Sequence, residues 1–248
     1  LKELTLKTSQ LVAFGSTRRV SGGVEDDATL KNLIDANTEV VCIVGKASAY
    51  HVTEALRTSL EEGIAMVEES VRFLKAQKSK VFFDAEHFFD GYKDNPDFSL
   101  EVLEGAARGG ADCVVLCDTN GGSLPHEVEE IVKEVKDKID CEIGVHLHND
   151  TGCGVANAIA GVIGGASQVQ GTINGYGERT GNCNMTSVIP ILQLKRGIEV
   201  VEDLTKMKEL SYFVDEISNN SPHHRAPFVG RTAFSHKGGM HVNAVQKV

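Results

Sequence analysis

Six short apolar runs recur along the chain, each separated from the next by a stretch with helical periodicity. They occupy residues 11–15, 40–44, 80–84, 113–117, 142–147 and 168–173. Most are apolar throughout, where a half-buried strand would alternate, and this is the pattern of parallel strands covered on both faces. The stretches between them supply the cover. Leu56, Leu60, Ile64, Val67, Val71 and Leu74 fall three or four apart and make one helical stripe. Val128, Ile131, Val135 and Ile139 make a second, entered through Ser123-Leu124-Pro125 with Ser123 as the expected N-cap. Val155, Ile159 and Val162 make a third. Strand and helix in strict alternation imply a parallel sheet with crossover helices.

Two architectures accept such a series. A doubly wound open sheet can stop at six strands, whereas a (β/α)8 barrel with two strands missing is left with two raw edges. The 248 residues give core enough for either, built on Val, Ile, Leu and Ala because Trp is absent. After about residue 200 the pattern changes to a polar helix, roughly residues 203–218, and then "NNSPHHRAPFVG". Residues 1–200 are therefore expected to form the main domain, and residues 201–248 a helical linker and the start of an appended segment.

A net charge of −10 argues against nucleic acid as a partner, which calls for a basic surface. It leaves room for a small anion held by local cations and backbone N–H groups. The six cysteines form no CxxC pair and read as reduced thiols, pointing to a cytoplasmic protein. No apolar run approaches the ~18 residues of a membrane span, so neither membrane nor signal peptide is expected.

The strand ends carry the chemistry. "GVHLHND" places His146 and His148 two positions apart on a strand, where both side chains share one face and can share one divalent cation. "VFFDAEHFFDGY" leaves its strand with Asp84, Glu86 and His87; "VVLCDTNGG" leaves with Asp118, Thr119 and Asn120. "QGTINGYGERTGNCN" leaves with Asn174, Glu178, Arg179, Asn182 and Asn184. Loop polarity explains any one cluster. Four in succession, each directly after an apolar strand, point to a catalytic mouth at the carboxyl ends of the strands, where barrels place it. For His51, His87, His126, His223 and His224 the plain reading is a surface or supporting role, and for the cysteines packing.

Together "HLHND", "GTINGYGERTGNCN", "CDTNGG", "FDAEHFFDGYK" and "HKGGMH" resemble the metal-dependent TIM-barrel acyltransferases that condense acetyl-CoA with 2-keto acids, the family of the isopropylmalate, homocitrate and citramalate synthases. "FGSTRR", "FDAEHFFDGYK" and "VQGTINGYGER" resemble the citramalate synthase branch most. The resemblance implies a (β/α)8 TIM barrel, here lacking its first two βα units. It implies His146, His148 and Asn182 as metal ligands, Glu86 beside the reacting centre and Thr119 on the keto acid's carboxylate. It also implies His241 as a general acid/base beyond the barrel, in that family reaching the partner subunit's site, hence a homodimer. His236 would support that segment. Arg18 or Arg19 is the candidate for an anionic substrate. The family's further ligand, an Asp in a D-T-x-L-R-D-G motif on the first strand, has no match here, so three of four ligands are present and weak metal binding is expected.

The expected reaction joins acetyl-CoA to pyruvate and releases CoA, as in isoleucine biosynthesis, with Mg²⁺, Mn²⁺ or Zn²⁺ polarising the keto oxygen. The alternatives are the same chemistry on a larger 2-keto acid, a carbon–carbon lyase of the hydroxymethylglutaryl-CoA type, and a non-catalytic metal-binding relic.

Overall fold

The protein's structure, a computed structural model, describes residues 6–245, with the side chains of Met240, His241 and Val245 outside the described set. It comprises two compact units, Leu1–Gln170 and Gly171–Val248.

The first unit holds β1 (Val12–Ser16), β2 (Val40–Lys46), β3 (Lys80–Glu86), β4 (Cys113–Asp118), β5 (Glu142–Leu147) and β6 (Gln168–Gln170). All neighbours pair in parallel, in the order β1-β2-β3-β4-β5-β6. A doubly wound sheet reverses its strand order at a switch point. Here the order never reverses, so the strands form an arc of TIM-barrel wall among the described residues, as the strand series and its chemistry imply.

Alternation sorts each strand into two faces. On the outer face Ile43, Phe83, Leu116 and Val145 are fully buried beneath the helices, each contributing about 1.5–3 kcal/mol of burial. The inner face carries Phe82, Asp84 and Glu86 on β3, then Val115 and Cys117 on β4, and Gly144 and His146 on β5. Gly144 belongs there by contact, since a Cβ on it would lie 2.9 Å from Gln168 Oε1 and 3.0 Å from a Val115 methyl. On β1 the alternate residues Val12 and Phe14 are 40% and 65% exposed, so the edge strand offers its inner face to solvent.

The helices follow the expected stripes with three differences. α1 (Ala28–Asp35) is capped by Asp27, and α2 (Leu60–Lys75) carries Ile64, Val67, Val71 and Leu74 as expected. Leu56 sits instead in a preceding π-helical turn, His51–Leu56, which Arg57 ends at φ 57. That left-handed residue breaks the helix and frees Ser59 to cap α2, its hydroxyl accepting the Glu62 N–H at 3.2 Å. After α3 (Phe88–Asp94) and α4 (Pro96–Gly109) comes α5 (Pro125–Lys138), capped at Leu124 and not at Ser123. Proline suits the first helical position, which fixes the start, and the Glu127 carboxylate takes the Leu124 N–H at 2.7 Å. In α6 (Gly154–Gly164) the buried face is small residues and an amide, among them Asn157, Ala158 and Gly161, while Val155, Ile159 and Val162 are half-buried. A Cβ on Gly161 would lie 2.9 Å from a Val145 methyl, so helix and strand approach closely only without one.

In the second unit β6 does not run on to residue 173. Thr172 makes one parallel bridge with Asn184, and Ile173–Gly175 turns as a 3-10 helix with Asn174 at φ 65. α7 (Met185–Arg196) follows, then a 3-10 turn (Leu204–Lys206), α8 (Met207–Ile217) and α9 (Gly239–Val245). Asn174 Nδ2 and the Tyr176 hydroxyl both donate to Asp215 Oδ1 at 2.6 Å, tying this loop to α8. No helix among the described residues is long and apolar enough to cross a membrane.

Candidate active site

The two-residue spacing on β5 sets the centre of the site. His146 is the next-to-last residue of β5, half-buried, and His148 lies just past its end, buried, with both rings on one face and centroids 5.2 Å apart. Their Nε2 atoms lie 3.3 Å from each other. Two nitrogens bound to one cation at ~2.0–2.1 Å stand roughly 3–3.4 Å apart, so the pair has the spacing of a shared ligand set. The His148 N–H donates to the Asp118 carbonyl at 3.3 Å, holding the chain in strand geometry one residue past the strand.

Behind this pair lies a chain of hydrogen bonds that the sequence did not announce. His146 Nδ1 meets Gln170 Oε1 at 2.8 Å, and Gln170 Nε2 donates to Asp84 Oδ1 at 2.9 Å. The Cys42 thiol also donates to Asp84 Oδ1, at 3.1 Å. Burial pushes the Asp84 carboxyl above its usual range, an effect opposed by these two hydrogen bonds and by the charge of His146.

Neighbouring strand ends add further groups. Glu86 is ion-paired with Lys46, its register partner on β2. Thr119 Oγ1 accepts the backbone N–H of His87 at 2.8 Å. His87 takes the left-handed conformation, φ 59, and its ring stacks on His51 with centroids 3.8 Å apart and planes at 16°. Its Nδ1 is buried without a hydrogen-bond partner. Asp118 is structural: its carboxylate accepts the N–H groups of Gly122 and Ser123 at 3.2 and 3.1 Å and folds the turn.

Asn182 belongs to the second unit. Its Nδ2 donates to the Tyr176 carbonyl at 3.0 Å, its own N–H goes to the Gly175 carbonyl at 3.0 Å, and its Oδ1 is buried with no hydrogen-bond partner. A buried carboxamide oxygen without a hydrogen-bond partner is a neutral group of the kind that can coordinate a cation. The two convergent imidazole nitrogens of the first unit are donors suited to a divalent ion. Among the described residues no group of three or more His, Cys, Asp or Glu side chains that could hold a metal ion is found.

Arg18 departs from expectation. Its guanidinium is buried against α2, Nη1 on Glu62 and Nε on Glu69, each at 2.7 Å. Burial opposes its charge, but the hydrogen bonds it donates to the two glutamates, and their negative charges, outweigh that and raise its pKa. Nη1 also donates to the Arg19 carbonyl at 3.2 Å, so Nε and Nη1 of the fork are already engaged by the protein. Arg19 is exposed, as are His126, His223, His224 and His236. His241 lies on α9, but its side chain falls outside the described residues. All six cysteines are free, and burial pushes the thiols of Cys113 and Cys183 up to about 12, which makes them poor nucleophiles.

Sequence reasoning missed Lys46 and Gln170. Lys46 carries a signal, because "VVCIVGK" ends an apolar strand in a cation. Gln170 carries one only beside its register partner, His146.

Three comparisons place these features. A hydroxymethylglutaryl-CoA lyase of Pseudomonas aeruginosa has the same fold, with a TM-score of 0.72 at 15% identity, covering 88% of this chain and 73% of that one. The (R)-citramalate synthase of Aquifex aeolicus is 54% identical over 99% of this chain and 47% of its own length. A probable 2-isopropylmalate synthase of Methanopyrus kandleri is 35% identical over 86% of this chain and 42% of its own. The chain thus spans about half the length of the curated relatives it matches. The HMGL-like family model matches residues 15–214, a span from β1 into α8, and the chain accordingly belongs to the HMGL-like family.

Proposed function

We propose that the chain carries the catalytic barrel of a citramalate synthase, which condenses acetyl-CoA with pyruvate and then, with water hydrolysing the thioester, releases CoA and citramalate. The observation that carries this is the convergence of His146 and His148 Nε2, 3.3 Å apart at the carboxyl end of a parallel strand. Similarity favours this branch, with 54% identity to a citramalate synthase against 35% to an isopropylmalate synthase.

His146, His148 and Asn182 would hold a divalent cation, Mg²⁺, Mn²⁺ or Zn²⁺. When bound, the ion supplies Lewis acidity to the 2-keto oxygen. The remaining work falls to the protein. Thr119, oriented by the His87 N–H, receives the pyruvate carboxylate. Glu86, fixed by Lys46, lies beside the reacting carbons. His241 takes the proton from the acetyl methyl group, a role typically worth ~10²–10⁴-fold. Residues 1–200 form the catalytic barrel and residues 201–248 the linker, in a cytoplasmic homodimer serving isoleucine biosynthesis.

The test is CoA-thiol release by the complete gene product with acetyl-CoA and a panel of 2-keto acids, with and without chelator. Pyruvate should give the highest kcat/KM, and chelator should abolish release. Preference for 2-ketoisovalerate or 2-ketoglutarate would move the protein to another branch. Production of acetyl-CoA from a hydroxyacyl thioester would make it a lyase.

A further inference from the structure

The hydrogen bonds behind His146 run in one direction only. A carboxylate has acceptors and no donor, so the edge of Gln170 that faces Asp84 is its NH₂, 2.9 Å from Oδ1. The Cys42 thiol donates to the same oxygen, which fits an acceptor there. With its nitrogen turned to Asp84, Gln170 turns its oxygen to His146 Nδ1, 2.8 Å away. An amide oxygen also only accepts, so Nδ1 must carry the ring proton. A neutral imidazole protonated at Nδ1 has its lone pair on Nε2, the atom that faces His148.

We propose that Asp84 and Gln170 are positioning residues that lock His146 in its Nδ1–H tautomer and present Nε2 to a divalent cation. The cation part rests on the function proposed above; the tautomer is a property of the metal-free protein. The arrangement follows from topology. Register sets His146 directly beside Gln170, while Asp84 reaches the same amide from β3 across the inner face. Ligands held in this way owe their orientation and basicity to such outer partners, whose loss typically weakens metal binding ~10–100-fold.

The tautomer is read directly from two-bond ¹H–¹⁵N correlations of histidine-labelled, metal-free protein, with Mn²⁺ affinity measured by calorimetry. The wild type should show His146 protonated at Nδ1. Gln170→Met, similar in length but unable to accept, should lose that preference and bind Mn²⁺ ~10–100-fold more weakly. Gln170→Glu alone sets two carboxylates together, so it should bind Mn²⁺ weakly as well. Adding Asp84→Asn turns the polarity round, since the new amide donates to Glu, which accepts from Nδ1–H, and should restore both tautomer and affinity.

His146 protonated at Nε2 in the wild type would overturn the proposal without any variant having to fold. So would Gln170→Met with tautomer and Mn²⁺ affinity unchanged. A tautomer that depends on Gln170 in a wild type unable to bind Mn²⁺ would uphold the lock and overturn the cation reading.

Discussion

The His87 ring, directly after Glu86, lies flat on that of His51, centroids 3.8 Å apart. Both imidazoles are held below their ordinary pKa, first by burial. His87 is pushed further by His51 and both by Lys46, against the opposing charges of Glu86 and Asp90. A depressed pKa means that the unfolded chain binds these protons more readily. The stacked pair's contribution is thus complete above the unfolded value of about 6.5 and is lost as pH falls through the lower folded values. Tm should therefore drop on acidification from pH 6.5. His87→Asn, which tolerates the left-handed backbone, should flatten that slope when Tm is followed against pH.

His148→Ala should remove one of two convergent nitrogens. Calorimetry should find no stoichiometric Mn²⁺ binding, and thiol release should fall to background. Full activity with stoichiometric metal would refute the ligand assignment.

His241→Ala should lower kcat by ~10²–10⁴-fold while leaving the KM for pyruvate unchanged. Steady-state kinetics on the complete protein decide this, and unchanged kcat would remove His241 from proton transfer.

Arg18→Met should cost stability and not substrate affinity. It leaves Glu62 and Glu69 without their cation, 32% and 48% exposed, so water softens the loss to about 1–2 kcal/mol. Urea denaturation should show the deficit with pyruvate KM unchanged. A raised KM at full stability would return Arg18 to the substrate.

Gly181→Ala should disturb Asn182. Gly181 sits at φ 96, and a Cβ there would lie 2.0 Å from the Gly175 carbonyl oxygen, which accepts the Asn182 N–H. The strain and overlap amount to ~1–3 kcal/mol. Weaker Mn²⁺ binding by calorimetry is expected, and unchanged affinity would separate Asn182 from the cation.

What the sequence revealed is what local periodicity controls. Apolar runs located all six strands, and a spacing of two put His146 and His148 on one face. The Asp84–Gln170 contact joins residues 86 apart and depends on which strands lie where, which no short window contains. The setting of Arg18 was illegible for the same reason. An arginine after a strand suits an anion equally well until α2 is seen to bring Glu62 and Glu69 against it. In α6 the apolar spacing was visible, but the buried side was chosen by how closely Val145 approaches Gly161, and bulk at 155, 159 and 162 had to turn aside.

β6 is three residues long, and its last is Gln170. Side chains on a strand switch faces at every step, so sliding this segment by one position would replace the amide with Val169 and turn Gln170 outward. Insertion or deletion of a single residue between α6 and β6 should therefore blind His146 more thoroughly than most substitutions around it. The aim of that imidazole is written in the length of a loop.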